Sequence, residues 1–264
     1  LKSDASGTAR VAEIPVDGSG NALGNINGNV TIERYIPAKR AWRMVTAPVQ
    51  AAGTQTINEA WQEGVVNSDL TNNQNPDPGF GVHISGADPS LGFDATPLNN
   101  PSLKIFNRST SGWDGIPNTN STLVRDYEGY MLFVRGSRST NLNMNIGAPL
   151  SNTVIRETDG IRMGRQSVTL SSGAGSYSIV GNPYPSTIDF RTVSVTGAGS
   201  ASTFILWDPA LTGANGVGAF QYFTQSGGAG SDYTVFPGGG SCVALRSPRA
   251  SAPTPRRNRR AGFE

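Results

Sequence analysis

Reactive side chains are scarce in this chain of 264 residues, which contains one cysteine, Cys242, and one histidine, His83. A single cysteine excludes an internal disulfide, and one histidine with one cysteine is a poor basis for a zinc site. A Ser–His–Asp arrangement would have to use His83, and the sequence has no G-x-S-x-G turn to present a nucleophile. These shortages argue against the commonest kinds of catalytic centre.

Charge and long apolar runs are also scarce. Charged residues make up 15% of the chain, against about 25% in a typical globular protein. The net charge of +2 is uneven, because residues 246–264 carry +5 and the rest carries −3. A mildly acidic body argues against an extended nucleic-acid-binding face. No apolar run approaches the roughly 18 residues that a membrane span requires.

Turn-forming residues are abundant, with 33 glycines and 17 prolines. They separate short alternating apolar segments, a pattern that predicts an all-β fold of the sandwich or jelly-roll type. One short helix is predicted over residues 56–65, where Thr56 and Glu59 form a capping box. The predicted strands cover residues 8–14, 30–36, 41–48, 80–86, 102–107, 127–136, 153–163, 166–172, 175–183, 202–209, 218–224 and 240–247.

Three blocks of sequence recur in the same order in the two halves of the chain. WRMVTAP (42–48) matches YSIVGNP (177–183), SLKIFNRS matches STFILWDP, and GYMLFVRGSRS matches GSCVALRSPRA. Such an internal echo predicts duplication of a β unit. We therefore divide the chain into an N-terminal strand or linker segment (1–27), a first β unit (28–150), a second β unit packed on it (151–247) and a basic Pro/Arg-rich tail (248–264).

Several unusual phrases carry a family resemblance: ERYIPAKRAWRMVTAP, WDGIPNTN, EGYMLFVRG, YSIVGNPYPSTIDF and FILWDPALTGANGVGAFQYF. Together they resemble β-rich modules of large secreted and cell-surface proteins of the Bacteroidota, which often precede a type IX secretion sorting domain. The resemblance covers residues 1 to 247 and implies an extracellular module without known catalytic residues. The closing strand GGGSCVALRS and the tail after it depart from the family pattern, which leaves the mode of surface attachment open.

Aromatic side chains near strand ends are the first candidates for a binding site. Stacking on sugar rings or on a partner chain uses such positions, although large aromatics are also common in protein cores. The candidates are Trp113, Trp207, Tyr222 and Phe223.

Oxygen-bearing side chains at alternate positions of the loop NNQNPDPG suggest a weak calcium site formed by Asn73, Asn75 and Asp77. The alternative is an Asx-rich turn without metal. No other cofactor is predicted. Acidic pairs suited to glycoside hydrolysis are Asp126 with Glu128 and Asp189 with Asp208.

The function that these observations favour is a non-catalytic, extracellular structural or adhesive module of a bacterial surface protein, with a protein or glycan as its partner. The start of the chain, LKSDASGTARVAEI, indicates a segment of a longer precursor. One alternative is a self-assembling filament or surface-layer subunit, in which TARVAEI pairs with a neighbour's open sheet edge. A further alternative is an extracellular glycan-binding module or hydrolase. Neither a nucleic-acid partner nor a membrane span is expected.

Overall fold

The computed structural model of the chain describes residues 1–50, 55–125, 127–144, 149–171, 175–196, 203–225 and 231–237. The predicted closing strand at 240–247, the basic tail, Cys242 and Asp126 lie outside these residues. No helix among those described is long and apolar enough to cross a membrane.

The fold is all-β with one short α-helix, as the turn-rich composition predicts. Three single-turn 3₁₀ segments accompany the strands, at Pro89–Leu91, Leu142–Met144 and Phe190–Thr192. The helix α1 spans Ile57–Trp61. The strands are β1 (Ser3–Asp4), β2 (Gly7–Thr8), β3 (Val30–Ile36), β4 (Ala41–Val45), β5 (Leu103–Asn107), β6 (Gly112–Gly115), β7 (Tyr130–Val134), β8 (Thr153–Asp159), β9 (Thr203–Asp208), β10 (Ala219–Gln225) and β11 (Tyr233–Phe236).

The described strands form four antiparallel sheets. The largest has the order β4-β7-β5-β6, and a second sheet pairs β3 with β8 along their whole lengths. A three-stranded sheet has the order β11-β10-β9, and β1 and β2 form a small hairpin. Strand β8 lies in the predicted second unit and pairs with β3 of the first, so the two segments share a sheet.

Two of these sheets and the helix enclose a common hydrophobic core. Ile32 and Ile155 enter it from the β3–β8 pair, and Leu103 and Leu132 enter it from the four-stranded sheet. Every residue of β7 is buried, as its unbroken apolar run predicts. This is a sandwich-like arrangement in which inward-facing residues of both sheets meet.

Helix α1 lies over this core because its one large aromatic residue faces inward. The capping box predicted from Thr56 and Glu59 is present, with Glu59 N–H donating to the Thr56 hydroxyl. Trp61 is fully buried and meets the ring of Tyr130 edge-on, with 5.2 Å between centroids. Its indole N–H donates to Glu157, a buried carboxylate on the inward face of β8.

The two segments that echo each other in sequence touch each other in the fold. Thr46 and Gly181 occupy the same position in WRMVTAP and YSIVGNP. A Cβ added to Gly181 would lie 2.0 Å from the Thr46 hydroxyl oxygen. The Gly181 N–H donates to the carbonyl of Tyr127, and the Thr46 hydroxyl donates to that of Glu128. The two Pro-terminated segments therefore meet at one place, and glycine is needed there because no side chain fits.

Several predicted strands are irregular in the structure. Of residues 8–14 only Thr8 is in a strand, and residues 166–171 and 175–183 contain none. Residues 80–86 make two isolated bridges, Phe80 to Val154 and Ser85 to Asp94. Their backbone groups are satisfied elsewhere, since Val82 N–H donates to the Trp61 carbonyl and Ile84 N–H to the Asp94 carboxylate. A carboxylate side chain and a carbonyl at the end of α1 thus replace a strand partner there.

Candidate functional site

The three-stranded sheet of β9, β10 and β11 separates a buried face from an open one. Side chains alternate across a strand, and residues directly opposite on neighbouring strands share a face. Phe220 lies opposite Trp207, and Tyr222 lies opposite both Ile205 and Phe236. Thr224 lies opposite Thr203 and Thr234. We call the face built by these eight residues the aromatic face.

The opposite face of this sheet anchors it to the body of the protein. Phe204 stacks on Phe223 with 4.6 Å between centroids, and Phe190 stacks on Phe204 at 4.1 Å. Strand β9 also contacts β4, and the Val217 carbonyl accepts from the Trp42 N–H at 3.1 Å. The inner stack leaves the aromatic face pointing away from the core.

The rings of the aromatic face are exposed to an unusual degree for such large apolar side chains. Phe220 is 37% exposed, Tyr222 47% and Phe236 72%. Trp207 is half-buried and meets Phe220 edge-on, with centroids 4.9 Å apart. Exposed clusters of this kind mark interaction sites more often than isolated exposed rings do.

Gly218 fixes the position of the Trp207 ring. It has a φ of +112°, and a Cβ on it would lie 2.2 Å from the indole nitrogen. That nitrogen is buried and meets no acceptor among the described residues. The ring is therefore held by packing, between the Gly218 backbone on one side and Phe220 on the other.

Gly218→Ala should destabilise the protein by about 2–3 kcal/mol, because it combines backbone strain with displacement of Trp207. Gly216→Ala is the matched control: its φ is +69° and no atom lies within 4 Å of an added Cβ, so its cost should stay near 1 kcal/mol. Urea unfolding followed by tryptophan fluorescence measures both values. Equal midpoints for the two variants would contradict this account of Trp207.

Of the four aromatic candidates from the sequence, the structure brings two together, places Phe223 on the buried face of the same sheet and places Trp113 in another sheet. Trp207 and Tyr222 both belong to the aromatic face. Trp113 lies on β6 in the four-stranded sheet, where its ring meets Phe106 edge-on at 5.5 Å. Sequence reasoning missed Phe220 and Phe236. The apolar residue at every second position of AFQYF was a signal for Phe220.

The calcium candidates have side chains held by different parts of the fold. The Asn73 amide contacts Asn67 and Thr140, and the Asn75 amide donates to Ser139 at 2.7 Å. The Asp77 carboxylate accepts from Arg156, which also pairs with Glu63. No group of three or more metal-ligating acidic, histidine or cysteine side chains occurs among the residues described. Calcium binding stays a prediction, which melting curves with and without the ion would test.

A polar cavity of about 390 Å³ lies between α1 and the outer face of the β3–β8 pair. Two carboxylates line it, those of Glu59 and Glu63. Hydrogen bonds from the backbone and hydroxyl of Thr56 lower the pKa of Glu59. Burial raises the pKa of Glu63 despite the ion pair with Arg156. Both acids thus have structural partners, one in the helix cap and one in the salt bridge.

His83 is part of a buried polar network rather than of an open site. Its ring nitrogen Nδ1 lies 3.1 Å from the Asn67 amide and 3.8 Å from the Asp94 carboxylate. Asp94 accepts two hydrogen bonds from Arg138, at 2.9 and 3.0 Å. His83, Asp94 and Arg138 are at most 2% exposed.

The remaining acidic candidates also have local structural roles. Asp189 caps the 3₁₀ turn at Phe190–Thr192 and pairs with Arg191. Asp208 is buried at the end of β9 and accepts from the Ala210 N–H at 2.7 Å. Glu128 is partly buried, and burial raises its pKa.

Comparison with known proteins adds no relative: no protein-family model, curated protein or solved structure matches this chain.

Proposed function

We propose that this chain is a non-catalytic extracellular module that attaches a bacterial surface protein to its surroundings through the aromatic face. The observation that carries the proposal is the exposure of Phe220, Tyr222 and Phe236 on one side of a sheet whose other side is anchored by stacked rings. Aromatic side chains contribute more binding energy per residue than most others, so leaving several of them open to water is costly without a partner.

Two further observations support this proposal. The phrases that resemble surface modules of the Bacteroidota support a position outside the cell, where adhesion takes place. His83 is enclosed in a hydrogen-bonded network, and the acids of the polar cavity have structural partners. Both placements favour a binding role over catalysis.

Binding to bacterial envelope fragments tests the proposal directly. Labelled protein is mixed with the insoluble envelope fraction, and the bound share is measured over a range of concentrations. Trp207→Ala/Tyr222→Ala should weaken binding at least tenfold, since each ring contributes about 1 kcal/mol. Two single variants serve as controls: Tyr177→Ala removes a ring that is 55% exposed outside the sheet, and Trp113→Ala removes the candidate on β6.

Both controls should bind like the unchanged protein. If the double variant is as stable as the controls and binds as tightly as the unchanged protein, the aromatic face has no role in binding. A loss in Trp113→Ala alone would move the site to the four-stranded sheet.

Self-assembly by strand addition remains the second candidate. The structure indicates which sheet edges could accept a strand from a neighbouring molecule. The outer edge of β3 is already covered, because Glu33 N–H donates to the Leu1 carbonyl and Ser3 N–H to the Glu33 carboxylate. Among the described strands β6 pairs only with β5 and β11 only with β10, so each has a second edge without a strand partner. Filaments in negative-stain images would support assembly.

A further inference from the structure

We infer that the ligand of the aromatic face is an uncharged polysaccharide whose pyranose rings stack on the exposed aromatic rings. This inference rests on the adhesive function proposed above and names the class of ligand. It is carried by the charge, the hydroxyl pattern and the size of the aromatic face.

The outward positions of β9, β10 and β11 carry no aspartate, glutamate, lysine, arginine or histidine. They are occupied by three threonines, one isoleucine and four aromatic residues. The one charged residue in these three strands, Asp208, is buried on the other face. An acidic polysaccharide or a nucleic acid would lose hydration at its charges here without gaining a partner. An uncharged ligand avoids that cost.

The arrangement of rings and hydroxyls matches the two kinds of surface on a neutral sugar. The C–H face of a pyranose carries slight positive charge, which the negative face of an aromatic ring attracts. The hydroxyl groups at the sugar's edge need hydrogen-bonding partners. Thr203, Thr224 and Thr234 are exposed and lie in one row across the three strands, next to the rings.

The size of the face fits a sugar chain better than a protein. Three strands about 4.8 Å apart, used over about five residues each, give an area of roughly 250 Å². A stable protein–protein interface buries about 800 Å² on each partner. The aromatic face is thus too small for a protein partner by itself, whereas a short stretch of a sugar chain can cover it.

The test uses the whole chain and defined soluble polysaccharides, measured by calorimetry or affinity electrophoresis. The neutral probes are a β-glucan, a mannan and a xylan, and the charged probes are polygalacturonate and chitosan. Tyr222→Ala should weaken binding to the preferred neutral probe about tenfold, or about 1.4 kcal/mol. Tyr222→Phe keeps the ring and should bind within about twofold, and Tyr177→Ala is the control outside the face. Thr224→Glu adds a charge to the face and should abolish binding.

Treatments of the envelope fraction separate this inference from the proposed function. Periodate, which cleaves the C–C bond between adjacent hydroxyl-bearing carbons, should remove face-dependent binding to sugars that carry such vicinal diols, and protease should leave it intact. Face-dependent binding that survives periodate and is lost with protease would overturn the glycan assignment while keeping the adhesive function. A preference for a charged probe would also overturn the assignment. Binding that ignores Trp207→Ala/Tyr222→Ala altogether would remove both.

Discussion

Arg138→Met should lower the free energy of unfolding by about 3–5 kcal/mol, because it leaves the buried carboxylate of Asp94 without its counter-charge. Asp94 accepts two hydrogen bonds from Arg138, two from the backbone N–H groups of Asn67 and Ile84, and one from Gln62. Burial alone would raise the pKa of Asp94, yet the nearby His83 and Arg138 hold it down to about 2. The carboxylate is therefore charged in the fold and requires the guanidinium.

Arg108→Met is the matched control, because Arg108 is an exposed arginine in a turn. It should change stability by less than about 0.5 kcal/mol. The double variant Asp94→Asn/Arg138→Met should recover part of the loss, since a neutral amide needs no counter-charge. Chemical denaturation measures all three variants. An Arg138→Met protein as stable as the unchanged one would show that the network contributes little.

The second large effect concerns pH and the buried Glu157. Burial raises its pKa to about 7, against an ordinary value of 4.5, although Trp61 donates a hydrogen bond to it and Arg34 lies nearby. Between these two pH values the folded protein binds more protons than the unfolded chain. The contribution of Glu157 to the free energy of unfolding is therefore largest below about pH 4.5. This contribution decreases by about 3 kcal/mol in total as the pH rises from 4.5 through 7.

Glu157→Gln removes this ionisation while keeping an oxygen for the Trp61 indole N–H. The variant should match the unchanged protein near pH 4.5 and exceed its stability by up to about 3 kcal/mol at pH 8. Glu13→Gln, at an exposed position, should leave the pH dependence unaltered. Denaturation midpoints across this pH range provide the measurement. Parallel curves for Glu157→Gln and the unchanged protein would show that Glu157 does not titrate there.

The regular part of the fold was predictable because local signals and tertiary packing agree there. The sequence pattern places β3 and the start of β8 correctly, although the predicted strand 153–163 ends in the structure at Asp159, and the Thr56–Glu59 capping box places the start of α1. The segment FGVHISG fails as a strand because the Asp94 carboxylate and the Trp61 carbonyl satisfy its backbone. Both partners come from elsewhere in the chain, so no local pattern in the segment indicates them.

The sequence predicted that the candidate site is aromatic, but it did not predict which aromatic residues form it. Aromatic residues near strand ends pointed to Trp207 and Tyr222, but equally to Phe223. Tyr222 and Phe223 are neighbours of the same type, yet one is 47% exposed and the other 7%. Which of them faces outward depends on the stack of Phe190 on Phe204, a contact made by residues outside β10. Trp113 has the same local signal and lies in a different sheet.

The pairing of β3 with β8 has a consequence for how the chain reaches its fold. The hydroxyl groups of Thr31 and Thr158 form a hydrogen bond between residues that are 127 positions apart in the sequence. The strand pair β3–β8 therefore forms only after a very long loop has closed. Contacts of such separation slow folding. Until β8 arrives, the edge of β3 that β8 will cover has unpaired backbone groups that are open to other chains. Aggregation can therefore compete with folding in the period between the synthesis of β3 and that of β8.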